Sequence, residues 1–193
     1  MTIRGDSSEY DLLKKWTKTL PFYSKPNHVT SVEIGVREGL GSKVIMLAMK
    51  ERIGNISYKH IGIDPYDNLK YQHYDNSPAY TADYTDEMRK TMVEDFKDHP
   101  EFMFYHMKDI DFMNTFVETG FKVYDLVHFD GPHMTKDVLR EAIWFADKSR
   151  VGTRFIFDDY KKYEMDHIAL VLTHFGFKTK EAGENKICLQ REE

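Results

Sequence analysis

The 193 residues suffice for one domain, expected to span 1–193, and for a full core without covalent staples. The chain is 41% hydrophobic and 31% charged, as globular proteins in water are, and its single cysteine, Cys188, excludes an internal disulfide and a cysteine-rich zinc site. A formal net charge of −5 argues against nucleic acid or an anionic membrane as partner.

No apolar run approaches the ~20 residues of a bilayer span. The polar first ten residues carry no secretory signal. The expectation is a soluble, cytoplasmic protein.

Leu12, Leu13, Trp16 and Leu20 recur at helical spacing, which predicts an amphipathic helix over 8–19 stopped by Pro21. A mostly apolar run predicts a strand over 29–36, followed by a helix over 43–52 and a second strand over 61–64. Residues 66–84 contain Tyr66, Tyr71, Tyr74, Tyr80 and Tyr84 without periodicity. Such a stretch inside a compact domain reads as a functional loop or lid. Packing of the tyrosines on their own scaffold, or on a second subunit, is the alternative.

Met88, Met92, Val93 and Phe96 share one face of a helix over 85–97. Beyond it come a strand over 102–107, a helix over 110–119, a strand over 126–129 and a helix over 136–148. The remainder reads as a strand over 155–157, a helix over 164–174, and a hairpin of 178–180 with 186–190. Alternating strands and helices imply an α/β fold with a mostly parallel central sheet and helices on both faces. Ligands of such sheets gather at the carboxyl ends of the strands.

The first strand runs into Glu33-Ile34-Gly35-Val36-Arg37-Glu38-Gly39-Leu40-Gly41-Ser42. Gly35 and Gly39 let the backbone turn sharply and approach a ligand, and the helix that follows offers free N–H groups. The same glycines would also serve simply to pack helix on strand. Their spacing is not the G-x-G-x-x-G of a pyrophosphate loop, and Glu33 suits an ammonium or sulfonium centre better than phosphate. Asp64, closing the second strand, can accept the hydroxyls of a ribose or shape a turn before Pro65. Asp109, after the third, can contact an adenine amino group or cap the next helix.

This order of motifs resembles the class I S-adenosylmethionine (SAM)-dependent methyltransferases. Glu33-x-Gly35-x-x-x-Gly39 is similar to their first motif and Asp64 to their ribose-binding acid, the likeness running over about 29–160. The resemblance implies a Rossmann-like fold with a C-terminal antiparallel hairpin. It also implies a SAM site built from Glu33, Gly35, Gly39, Ser42, Asp64 and Asp109. Lys108 departs from the glycine frequent in the family, and Gly41 from a hydroxyl residue, with Ser42 adjacent.

The fourth strand ends in Phe129-Asp130-Gly131-Pro132-His133 and the fifth in Phe157-Asp158-Asp159-Tyr160. Clustered carboxylates repel unless something positive lies between them, and such oxygen ligands suit Mg2+, Ca2+ or Mn2+. The pattern is similar to that of metal-dependent O-methyltransferases acting on catechols and on macrolide or other sugars. The resemblance implies Asp130, Asp158 and Asp159 as ligands of Mg2+ or another divalent cation, which would lower the pKa of a substrate hydroxyl. It implies catalytic roles for Asp130 and His133, the latter as base. Acidic turns without an ion, and a surface histidine without a role, are the alternatives. His128, inside the fourth strand, reads as a hydrogen-bonded core residue.

The expected acceptor is a small molecule with a sugar or aromatic hydroxyl, and a homo-oligomer is compatible with the sequence. Asp130-Gly131-Pro132-His133 lacks the first proline and the aromatic residue of the DNA amino-methylating motif. Two other readings stand beside it. One is an RNA ribose methyltransferase using Lys14 or Lys15, Asp130, Lys161 or Lys162, and Glu181; the other is a non-catalytic nucleoside-binding domain of the same fold.

Overall fold

The computed structural model describes residues 5, 7–23, 26–67, 70–71, 80–81, 84–117 and 123–193. Helix α1 (Tyr10–Lys18) precedes β1 (His28–Ile34), α2 (Leu40–Ile53), β2 (Ser57–Ile63), β3 (Lys70–Tyr71) and β4 (Tyr80–Thr81). Then follow α3 (Asp86–Asp95), β5 (Phe102–Tyr105), α4 (Asp109–Thr115), β6 (Tyr124–Phe129) and α5 (Thr135–Asp147). The last elements are β7 (Ser149–Phe157), α6 (Met165–Thr173), β8 (Phe177–Ala182) and β9 (Ile187–Arg191). Most of the expected lid, 66–84, lies outside the described residues, apart from its ends and the antiparallel pairing of β3 with β4.

Seven strands form one sheet in the order β5-β2-β1-β6-β7-β9-β8. Pairings among β5, β2, β1, β6 and β7 are parallel, whereas β9 runs antiparallel to both β7 and β8. The expected terminal hairpin is therefore present, its second strand inserted inside its first. Chain order reverses between β1 and β6, the place where open α/β sheets bind ligands.

Side-chain alternation along the strands builds a core on each face of the sheet. Val127 and Phe129 of β6 pack with Phe112 of α4, Phe145 of α5 and Ile168 of α6. Leu126, one position before Val127 and so on the opposite face, packs with Trp16 of α1, Ile45 and Met49 of α2, and Met92 of α3. Burying such residues stabilises by about 1.5–3 kcal/mol each. Among the described residues, no helix is long and apolar enough to cross a membrane.

The strands begin earlier than their apolar runs suggest, at Ser57, Tyr124 and Ser149. Several of their polar residues find partners inside the protein. His60 pairs with Ser31 Oγ at 2.7 Å, and Arg154 reaches Gln190 at 3.0 Å and the Trp16 carbonyl at 2.5 Å.

Candidate active site

A cavity of about 540 Å³ opens at the carboxyl ends of β1, β2, β6 and β7, within the size range of small-molecule sites. Glu33, Gly35, Asp64, Asp109, Asp130, His133, Asp158 and Asp159 all line it. Gly39 and Ser42 do not; their neighbours Leu40 and Gly41 do.

Gly35 sits at φ +84, where an L side chain is strained, and a Cβ there would fall 2.0 Å from the Asp130 carbonyl oxygen. Only glycine lets the exits of β1 and β6 meet this closely. The backbone then clasps Asp130, whose N–H donates to Ile34 O at 2.9 Å.

Asp64 holds the same loop from the other side. Its Oδ2 accepts the N–H groups of Val36 and Arg37, and its Oδ1 that of Tyr66, each at 2.9 Å. Burial pushes its carboxyl up despite these three donors. The Tyr66 hydroxyl donates to Arg37 O, closing the clamp. Asp64 thus shapes the loop with three of its about four acceptor sites and still lines the cavity.

Glu33 is buried beneath the cavity floor with both oxygens engaged. Ser42 Oγ donates to Oε2 and His128 Nδ1 lies 2.9 Å from Oε1. A Cβ on Gly41 would stand 2.0 Å from Glu33 Oε1, so the absent side chain there makes room for this carboxylate. The chain continues from Ser42 to His60 Nε2 at 2.9 Å, and through Ser31 to the Tyr58 hydroxyl at 2.6 Å. Ser42 therefore supports the glycine loop from behind and does not line the cavity. His128 is the hydrogen-bonded core histidine that its strand position suggests.

Asp109 opens α4, whose N-cap is Lys108 with no side-chain capping bond, so the capping alternative fails. It is paired instead with Arg140 Nη2 at 3.2 Å, which also reaches Asp137 at 3.1 Å. Behind it Glu141 is fully buried, and burial followed by the proximity of Asp109 pushes its carboxyl well above the usual range.

The strand-end acids converge as expected, with one substitution and one addition. Among the described residues, ligand atoms of Asp130, His133 and Asp158 lie within 4.8 Å of one another. Asp159, at φ 47, is paired with Lys162 and lies 3.7 Å from His133 Nδ1, outside the tighter cluster. The addition is Lys186, which precedes β9 and whose buried ammonium donates to Asp158 Oδ1. Ser7 Oγ donates to the other oxygen at 2.9 Å. Burial and then Asp158 push the Asp130 carboxyl well above its ordinary value. Burial works against ionisation of Asp158 too, yet the hydrogen bond from Asp130 and the Lys186 ammonium bring it down to about 2. Burial beside a second acid therefore favours the protonated form of Asp130, and the donors around Asp158 its ionised form.

His133 stacks on Tyr163 with ring centroids 6.3 Å apart and planes 7° from parallel. Its Nε2 is buried with no hydrogen-bond partner among the described residues, 3.7 Å from Asp130 Oδ1. Burial lowers the imidazole pKa, against the pull of Asp159 and Asp158. Near neutral pH the ring is uncharged and able to accept a proton.

Lys15 and Glu181, half of the ribose-methylating set, pair with each other at 2.7 Å and do not line the cavity. Sequence reasoning also missed Ser7, Glu9 and Lys186. Lys186 is the only one with a visible sequence signal: a lysine directly ahead of the apolar run Ile187-Cys188-Leu189.

A family described as a methyltransferase domain matches residues 32–160. Among solved structures, the chain is similar to the O-methyltransferase NovP, at 13% identity and a TM-score of 0.70, over 95% of this chain and 79% of that one. CalS11, a calicheamicin methyltransferase, aligns at 16% identity and 0.66, over 94% and 76%. TomG of Streptomyces achromogenes, an O-methyltransferase of tomaymycin synthesis in complex with SAM, aligns at 10% and 0.63, over 99% and 82%. At these identities the likeness speaks for the fold. No curated protein matches in sequence.

Proposed function

The chain belongs to the methyltransferase-domain family as a class I, SAM-dependent enzyme, and we propose that it methylates a hydroxyl oxygen of a small molecule. One observation carries the choice of acceptor: the uncharged His133, with Nε2 unpartnered, in the cavity shared with the glycine loop. An amine with a free lone pair needs no base; a hydroxyl gains most from one.

The cavity fits the cofactor. The backbone of the Gly35 loop lies open to it where a side chain would collide, and Glu33 and Asp64 stiffen that loop from beneath. Gly35, Leu40, Gly41 and Asp109 would hold SAM, which supplies an electrophilic methyl group on a positively charged sulfur. His133 takes the hydroxyl proton at Nε2. Asp130, whose carboxyl is pushed toward its protonated form, lies 3.7 Å from His133 Nε2 on the same cavity wall, beside the acceptor. Holding oxygen and methyl carbon in line is an orientation effect that reaches roughly 7–11 kcal/mol in well-aligned systems.

A divalent ion does not fit the same acids. Asp158 has one oxygen on the Lys186 ammonium and the other on Ser7, and Asp159 is committed to Lys162. No step is therefore assigned to a metal.

The test is calorimetric binding of S-adenosylhomocysteine (SAH), followed by radiolabelled methyl transfer to a panel of sugar and aromatic alcohols beside matched amines. The expected outcome is SAH binding, transfer to alcohols, and a His133→Asn variant that binds SAH normally but loses kcat by about 10²–10⁴-fold. Transfer to amines alone, or an unchanged kcat in His133→Asn, would sink the proposal.

A further inference from the structure

We propose that Lys186 is the resident cation of the strand-end acids, standing where metal-dependent enzymes place a divalent ion, and that it makes this site metal-independent. Only the functional half of this inference rests on the methyltransferase reading; the question of what neutralises the acids stands alone.

The geometry is specific. The Lys186 ammonium donates to Asp158 Oδ1 and to Ser7 Oγ at 2.6 Å, and Ser7 Oγ donates to Asp158 Oδ2 at 2.9 Å. Both carboxylate oxygens are thereby engaged. The Lys186 side chain is 0% exposed and that of Asp158 5%. Lysine is seldom fully buried unless its charge meets an opposite one. The Tyr10 ring, 5.9 Å from the ammonium, adds a favourable face.

The backbone delivers this ammonium. Glu9, itself left-handed at φ 58, accepts the N–H groups of Glu184, Asn185 and Lys186, each at 2.8 Å. The Tyr160 N–H, just past Asp158 and Asp159, donates to Asn185 O at 3.2 Å. The turn before β9 is thus tied to α1 on one side and to the exit of β7 on the other. A divalent ion among Asp130, His133 and Asp158 would stand beside a fixed positive charge and would have to strip Asp158 from both its donors. Lys186 touches no reacting atom in this scheme. It is a positioning residue that fixes Asp158 and, through it, the wall carrying Asp130 and His133.

The test uses Mn2+ alone as probe, with free Mn2+ read by electron paramagnetic resonance in titrations of the full chain. The wild type is expected to leave micromolar Mn2+ free. Lys186→Ala and Lys186→Gln are expected to bind it at least about tenfold more tightly, a change of about 1.4 kcal/mol. Adding Asp158→Asn to either should remove that gain, a result that a merely structural lysine would not produce. Micromolar Mn2+ binding by the wild type that Asp158→Asn abolishes would overturn the proposal, as would folded Lys186 variants that gain no affinity. If both variants fail to fold, the comparison of wild type with Asp158→Asn decides alone: binding that needs Asp158 refutes the inference, and its absence supports it. Methyl transfer by the wild type should also be unchanged in chelator. A protein that fails to bind SAH would lose the methyltransferase reading while leaving the Mn2+ comparison intact.

Discussion

Gly35→Ala probes the contact between the exits of β1 and β6, on which the cavity is built. Two costs add at this position. The first is the left-handed backbone, φ +84, which is worth about 1–2 kcal/mol for an L residue. The second is collision: the new Cβ would lie 2.0 Å from Asp130 O, 2.5 Å from its carbonyl carbon and 2.9 Å from Gly131 N. These are backbone atoms that cannot swing aside, so a further cost of about 1–3 kcal/mol is expected, as for overpacked cores. Gly54, at φ 61 and ψ −119, has nothing within 4 Å of its Cβ position, so an alanine there meets backbone strain without collision. Urea unfolding followed by circular dichroism should show Gly54→Ala losing only the conformational part and Gly35→Ala losing both, with m unchanged. For a chain this long, each kcal/mol lowers Tm by about 2–4 °C. SAH affinity should fall in Gly35→Ala alone. If Gly35→Ala costs no more than the ~1–2 kcal/mol of the backbone conformation alone, the close approach is not a constraint and the reasoning fails.

Burial lowers the His60 pKa from 6.5 to about 4, so the unfolded chain takes up this proton first as pH falls. That contribution is complete above pH 6.5 and is lost down to pH 4, about 3 kcal/mol in all; parallel pH–stability slopes for wild type and His60→Gln would contradict it. Ser42→Ala strips a partner from both Glu33 and His60 and should cost about 1–3 kcal/mol in urea with little change in SAH affinity. An unchanged stability with a collapsed affinity would instead return Ser42 to direct cofactor contact. Burial pushes the Cys188 thiol up to about 12, so an alkylating reagent at pH 8 should label the protein only after unfolding; rapid labelling of the native protein would show that β9 is not packed as described.

Order and phase of the elements could be read from the chain because apolar periodicity is a local property that the core then uses. Val127 and Phe129, two residues apart, end on one face and Leu126 on the other, as a strand requires. The acids after β6 and β7 were legible for the same reason: parallel neighbours deliver their carboxyl ends to one edge. What each acid does there was not legible, because it depends on partners remote in sequence. Asp64 reads as a ribose acceptor or a turn former, and its hold on the loop of Val36 and Arg37 is visible only once that loop folds onto it. Glu33 reads as an open charge until His128, 95 residues on, reaches it. Coulomb repulsion among the clustered carboxylates calls for a positive partner, and the chain carries one of its own in Lys186. Lys186 looks like the solvated start of a strand, and only the insertion of β9 beside β7 brings it to Asp158.

The clasp of Glu9 on Lys186 joins residues 177 positions apart, nearly the full length of the sequence. Contacts of such separation carry the largest loop-closure entropy and are made late, after the local strand–helix units have formed. The cavity wall bearing Asp158 should therefore be completed only in the last step of folding. It should also be among the first parts to open under mild denaturant, ahead of the β1–β2 and β1–β6 pairings. Hydrogen exchange would show this as weaker protection of the Lys186 amide than of the Val32 amide. Methyl-transfer competence would then be gained and lost with the closure of one long loop, while the sheet beneath it stays intact.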